Sequence, residues 1–272
     1  MKLNIKETVS FLRGLLWASC IIVGTLMLFR LLFVFLYVPG NILTAQSSDL
    51  YKVLYNALRF DFQIAAYAAL LPTVIMLMLL FVSTPKYQKW CRNFCSWYYT
   101  IVATLLALLS AIDLGYFANF NSHISFTFFD FFDEEPLSLI QTIWDDYPVI
   151  WILIGLSLWG TVTRIASKWA FLRPYQTKSC STKKTTIAIM LYIAAIVVCM
   201  RGSIGRFPLQ VEDLVVSVSE RINDIIPNAP YMLKKALKEK SMVFDIKPTA
   251  TLLKEYSFKN LQEAMDTFSD KG

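Results

Sequence analysis

The chain has 272 residues, 56% of them hydrophobic and 15% aromatic, with a mean hydropathy of +0.49. Those values exceed what an ordinary soluble domain carries. The net charge of +6 is not a nucleic-acid signature, because its cations fall between apolar runs and in the C-terminal tail, where anionic lipid headgroups account for them.

In chain order, five apolar runs approach or reach the roughly 20 residues that a helix needs to cross hydrocarbon. The first covers about 14–38 and is interrupted by Arg30. Lys2, Lys6 and Arg13 before it resemble the start of a secretory signal. The run is too long for a signal core and no A-x-A site lies near Ala45, so an uncleaved anchor is expected. The second run covers about 62–82 with Pro72 inside it, the third about 94–112, the fourth about 149–165 and the fifth about 186–200. The fifth is short and is expected to reach back toward Lys184 or to rely on snorkelling and local thinning. All seven tryptophans lie near predicted span ends, as an interfacial aromatic belt requires.

Charge alternates between the runs. Three basic residues precede the first, three (Lys86, Lys89, Arg92) separate the second from the third, and six (from Arg164 to Lys184) lie around the fourth-to-fifth connection. The other two loops hold only Lys52 and Arg59, and between Asp113 and Tyr147 there are seven acids and no Lys or Arg. Basic loops stay in the cytoplasm. The expected fold is therefore an all-α polytopic membrane protein with five transmembrane helices and a cytoplasmic N-terminus over 1–200. An extracytoplasmic, partly helical linker over 201–272 follows it, and the cell location is the inner (plasma) membrane.

Charges in or beside the spans are the first candidates for function, since they are costly in lipid. Arg30 either snorkels or pairs with an intramembrane acid or a lipid phosphate. Arg59 and Asp61 at the start of the second span, and Asp113 at the end of the third, share its depth. Arg30, Asp61 and Asp113 thus form a candidate charge network, either structural or functional. His123, the only histidine, sits in the acidic loop near Asp130, Asp133, Glu134 and Glu135. That cluster reads as a hard-cation site or, preferably, as a helix start with acids at the positive dipole end. The five cysteines offer no plausible extracytoplasmic pair, and Cys91 and Cys95 lack metal-site partners, so they read as small apolar filler. No Gly-rich phosphate loop, H-E-x-x-H or G-x-S-x-G occurs, and no metal site is expected in this chain.

In the tail, Pro230 opens a predicted helix to about Lys240. Its apolar stripe (Tyr231, Leu233, Ala236, Leu237) runs beside Lys234, Lys235, Lys238 and Lys240. It lies either at headgroup level or as a solvated helix packed on the membrane domain. A second helix is expected over about 249–268. The tail reads as a linker or a docking element, with a marginal core of its own.

The layout, with Arg59-Phe60-Asp61, Asp113-Leu114-Gly115-Tyr116-Phe117 and above all Arg201-Gly202-Ser203-Ile204-Gly205-Arg206-Phe207-Pro208-Leu209, followed by Asn223-Asp224-Ile225-Ile226-Pro227-Asn228-Ala229-Pro230, resembles the membrane domain of the lipoteichoic acid synthase family. These are sulfatase-like phosphoglycerol or phosphoethanolamine transferases of the alkaline phosphatase superfamily. The resemblance covers essentially the whole chain. It implies a membrane anchor, with holding of the lipid substrate as a candidate second role and a C-terminal extracytoplasmic catalytic domain as its partner. That domain carries a nucleophilic Thr and the divalent metal, so no catalytic residue and no cofactor is carried over here. The chain alone is expected to be inactive. Membrane phospholipids are the expected ligands, with Arg59, Arg201 and Arg206 as headgroup contacts, since Arg binds phosphate bidentately. The alternative is a stand-alone multi-pass membrane protein, a transporter or scaffold; no internal repeat supports a transporter.

Overall fold

The computed structural model describes residues 5–81, 84–129, 141, 144–145, 147–173 and 182–244, and among the described residues there are helices and no strand. The helices are α1 (Ile5–Tyr37), α2 (Gly40–Ala45), α3 (Leu50–Leu79), α4 (Pro85–Phe120), α5 (Val149–Leu172), α6 (Thr182–Arg201), α7 (Glu220–Asn223) and α8 (Ala229–Phe244). Five of them, α1, α3, α4, α5 and α6, are long and apolar enough to cross a membrane. The 20 residues of α6 begin two positions before Lys184, and at 1.5 Å each they reach about 30 Å, the thickness of the hydrocarbon layer.

Two spans outrun their predicted bounds. α3 begins at Leu50 rather than near 62, and α4 ends at Phe120 rather than near 112. Arg59, Asp61 and Asp113 therefore lie inside helices, not at their ends. Leu50, Val53, Ala57 and Phe60 keep helical spacing through the charged stretch, and the last three are buried. Hydropathy treats a charge as a stop; helical periodicity does not.

α1 packs against α3, α4 and α5, α4 against α5, and α3 against α6. Buried Ala65, Ala69, Ala103 and Ala107 keep the central helices close. Cys91 and Cys95 are buried filler in the same core. A Cβ on Gly14 would lie 2.8 Å from the Phe171 ring, so the α1–α5 approach depends on that glycine. Outward-facing Trp151, Leu158 and Ile165 of α5, and Met190 and Leu191 of α6, leave these helices apolar on the exposed side, as lipid contact requires.

The tail does not build its own core. It folds back over the end of the bundle formed by the last turns of α1 and α4 and the first turns of α3. Ile222, Ile225 and Ile226 are buried with Phe33, Phe60 and Phe117. Met232 and Ala236 of α8 are buried with Tyr116 and Ile124. α8 starts at Ala229 because Asn228 caps it: its side-chain oxygen accepts the Tyr231 N–H at 3.1 Å. Lys234 and Lys238 of α8 stay exposed. The acids at 130, 133, 134 and 135 and the second predicted tail helix lie outside the described residues.

Candidate functional site

Three polar centres sit at the capped end, and each fastens a different stretch of the tail. The first is Arg30, which α1 presents near its C-terminal end, 7% exposed. Its guanidinium makes a bidentate ion pair with Asp61 of α3. Nε donates to the Ile225 carbonyl at 2.8 Å, Nη2 to the Ile226 carbonyl at 3.0 Å, and Nη1 faces the Met27 sulfur at 3.3 Å. A guanidinium has five N–H donors, and these contacts match all of them. Asn228 then donates to Asp61 Oδ1 at 2.9 Å. No donor of Arg30 is left for a phosphate.

The second centre is Asp113 with His123. α4 ends on Asn121, whose φ of 54° is a left-handed position that asparagine tolerates. That reversal returns the chain onto the helix it has just left. His123 Nδ1 lies 2.8 Å from Asp113 Oδ2, Nε2 lies 2.8 Å from the Asp224 backbone oxygen, and the Ile124 N–H donates to Asp113 Oδ1 at 3.0 Å. Phe33 stacks on the imidazole and Phe117 tilts against it, each with centroids 5.1 Å away. Burial alone would lower the His123 pKa, but the hydrogen bond and charge of Asp113, with the Asp224 carbonyl, outweigh it and raise the pKa above the ordinary value. Burial raises the Asp224 carboxyl, against the pull of His123 and Arg221.

The third centre is Arg59 of α3. Nε donates to the Gly202 carbonyl at 2.8 Å, and Nη1 donates to Asn56 Oδ1 and Asp213 Oδ1, each at 2.9 Å. Asn56 also donates to the Asp213 carbonyl at 2.8 Å. One helical turn on, Gln63 donates to the Met200 carbonyl at 2.8 Å.

The structure thus divides the expected charge network. Arg30 and Asp61 are paired, whereas Asp113 pairs directly with His123 on the wall of a cavity of about 30 Å³ lined also by Arg30, Ser110, Asp224 and Asn228. That space holds a water or two, not a lipid headgroup. Of the three arginines expected to meet headgroups, Arg59 faces inward as described. Arg201 is exposed and donates to the carbonyls of Gly205 (2.9 Å) and Arg206 (2.7 Å). Arg206 is exposed, 5.8 Å from the Phe207 ring centroid. Sequence reasoning missed Asn56 and Asp213, and named Asn223 and Asn228 only within the resemblance motif, with no role for their side chains. Asn223 accepts the N–H groups of Val216 and Ser217 and donates to the Ser217 carbonyl, folding the tail on itself. The available signal was the asparagine just before Ala229-Pro230, a helix-cap pattern.

No family model matches the chain, and no curated protein or solved structure is significantly similar to it.

Proposed function

We propose that this chain is the membrane domain of a sulfatase-like phosphoglycerol or phosphoethanolamine transferase. It sits in the plasma membrane with its N-terminus in the cytoplasm and its cap on the extracytoplasmic face. One observation carries the reading: the segment after the fifth span is fastened to the bundle through buried and half-buried polar centres on α1, on α3 and at the end of α4. Such a cap is a fixed mount. It directs the chain toward an extracytoplasmic catalytic domain and holds the loop after α6 at headgroup level. The basic segments before α1, between α3 and α4 and between α5 and α6, set against the two other inter-span loops with only Lys52 and Arg59, support the orientation.

Arg201 and Arg206 lie beside exposed Ile204 and Phe207. Cations next to apolar side chains suit the level where lipid phosphate meets acyl chain. Arg59 supports that loop from inside the bundle as a positioning residue. The test is native mass spectrometry of the purified chain with phosphatidylglycerol against phosphatidylcholine. Wild type should retain phosphatidylglycerol selectively, and Arg201→Ala/Arg206→Ala should lose about tenfold in affinity, equivalent to about 1.4 kcal/mol. Equal, weak retention by both proteins would remove the headgroup role and leave an anchor.

A further inference from the structure

His123 presents both ring nitrogens to acceptors: Nε2 to the Asp224 backbone oxygen and Nδ1 to the Asp113 carboxylate, each at 2.8 Å. A backbone carbonyl only accepts. Asp113 already accepts the Ile124 N–H on its other oxygen. A neutral imidazole donates from one nitrogen and carries a lone pair on the other. In this buried site that lone pair would point at an oxygen, an arrangement with no hydrogen bond to offset its desolvation. The geometry therefore calls for a proton on each nitrogen. The faces of Phe33 and Phe117 suit a cation between them.

The charges around the ring call for a cation as well. α4 contributes Asp113, α1 contributes Arg30, and α3 contributes Asp61, bonded to Arg30. The tail contributes Asp224 with Arg221, 3.9 Å apart, and Glu220 nearby. The acids outnumber the arginines.

We infer that His123 is a proton-operated latch: as an imidazolium it ties α4, through Asp113, to the tail, through the Asp224 carbonyl, and loss of its proton loosens the tail around Asp224 at the end of the bundle. The ligand is the proton of the compartment that the cap faces. The latch stands whether or not the chain serves a transferase. Its sign follows from linkage. A histidine whose pKa is raised on folding contributes stability that is complete below the ordinary imidazole value and is lost as pH rises through the raised one. Asp224, also raised, acts in the same direction.

The chain has one histidine. ¹⁵N-histidine labelling of the full chain, purified through a histidine-free tag and placed in lipid nanodiscs, therefore reports this ring alone. The expected result is a doubly protonated ring at neutral pH that deprotonates in one step at higher pH. Over that step, hydrogen-exchange protection of amides 222–226, corrected for intrinsic rates, should fall about tenfold per pH unit. Asp113→Asn should move both the ring titration and the protection step to lower pH. A neutral ring at neutral pH in the wild type, or a ring titration that leaves protection unchanged, overturns the latch. The wild-type titration decides this even if the variant does not fold.

Discussion

The two ends of the bundle use arginine in opposite ways. At the capped end Arg30 reaches backbone carbonyls 195 and 196 positions away in the chain, and its partner Asp61 has a side chain with no exposure. At the other end Arg92 pairs with Glu7 at 2.7 Å and donates to the Phe171 carbonyl, but the Glu7 side chain is 41% exposed. There Arg164 bonds Ser96 and lies 3.9 Å over the Trp97 ring, and Arg173 lies 5.7 Å from Trp169. One end uses charge to join distant segments away from water. The other lays charge on an open aromatic rim. The same residue type is a joint where its partners exclude solvent and a surface feature where they do not.

The largest expected effect breaks the joint. Arg30→Ala leaves Asp61 buried without its cation and leaves the Ile225 and Ile226 carbonyls without donors. Losing one partner of a buried pair costs about 3–5 kcal/mol. Thermal unfolding in detergent, followed by circular dichroism, should fall accordingly, and exchange at amides 222–226 should rise. Arg30→Met/Asp61→Leu should recover part of the loss, because no charge is then stranded, while the two carbonyls stay unpaired. A single Arg30→Ala variant within about 1 kcal/mol of wild type would reduce this end to another surface.

The same contrast explains what was legible in the sequence. The five spans follow from apolar run length, and Arg30, Asp61 and Asp113 stood out because charge in an apolar run is rare. The tail partners of these residues, of Arg59 and of His123 were hidden for two reasons. Most are backbone atoms, the carbonyls of Gly202, Asp224, Ile225 and Ile226, and a backbone oxygen leaves no mark in a sequence. The rest are far along the chain: Asp213 meets Arg59 across 154 positions, and Asn228 meets Asp61 across 167. Asp113 and His123 are only ten residues apart, but the left-handed turn at Asn121 that brings them together leaves little sequence signal beyond the asparagine itself. The tail reads as marginal because it holds few large apolar positions of its own, whereas the core around its isoleucines is completed by Phe33, Phe60 and Phe117.

A smaller effect sharpens the comparison within the capped end. Gly202 has φ +70°, and a Cβ there would lie 2.8 Å from the Leu209 Cβ. The Leu209 N–H donates to the Arg201 carbonyl at 3.1 Å, so the loop between them is closed by backbone. Gly202→Ala should cost about 1–2 kcal/mol from the left-handed backbone alone, with the contact adding to it. Because the Gly202 carbonyl is the acceptor for Arg59, the shift should also weaken phosphatidylglycerol retention while leaving Arg201 and Arg206 in place. Normal retention in a destabilised Gly202→Ala protein would separate the loop's fold from the headgroup role proposed for it.

The smallest effect belongs to the open end. Glu7→Gln keeps an acceptor for Arg92 and removes only the charge, and Arg92 still holds the Phe171 carbonyl. An ion pair this exposed is worth about 0–1 kcal/mol, and added salt should erase what there is. Asp61→Asn, chemically the same change, leaves the Arg30 cation uncompensated in a buried site and should cost several-fold more, with little response to salt. Thermal unfolding of the two variants at low and high salt measures the contrast. Equal losses, equally screened, would mean that water reaches Arg30 and Asp61 as freely as Glu7, and that the tail does not seal the end it covers.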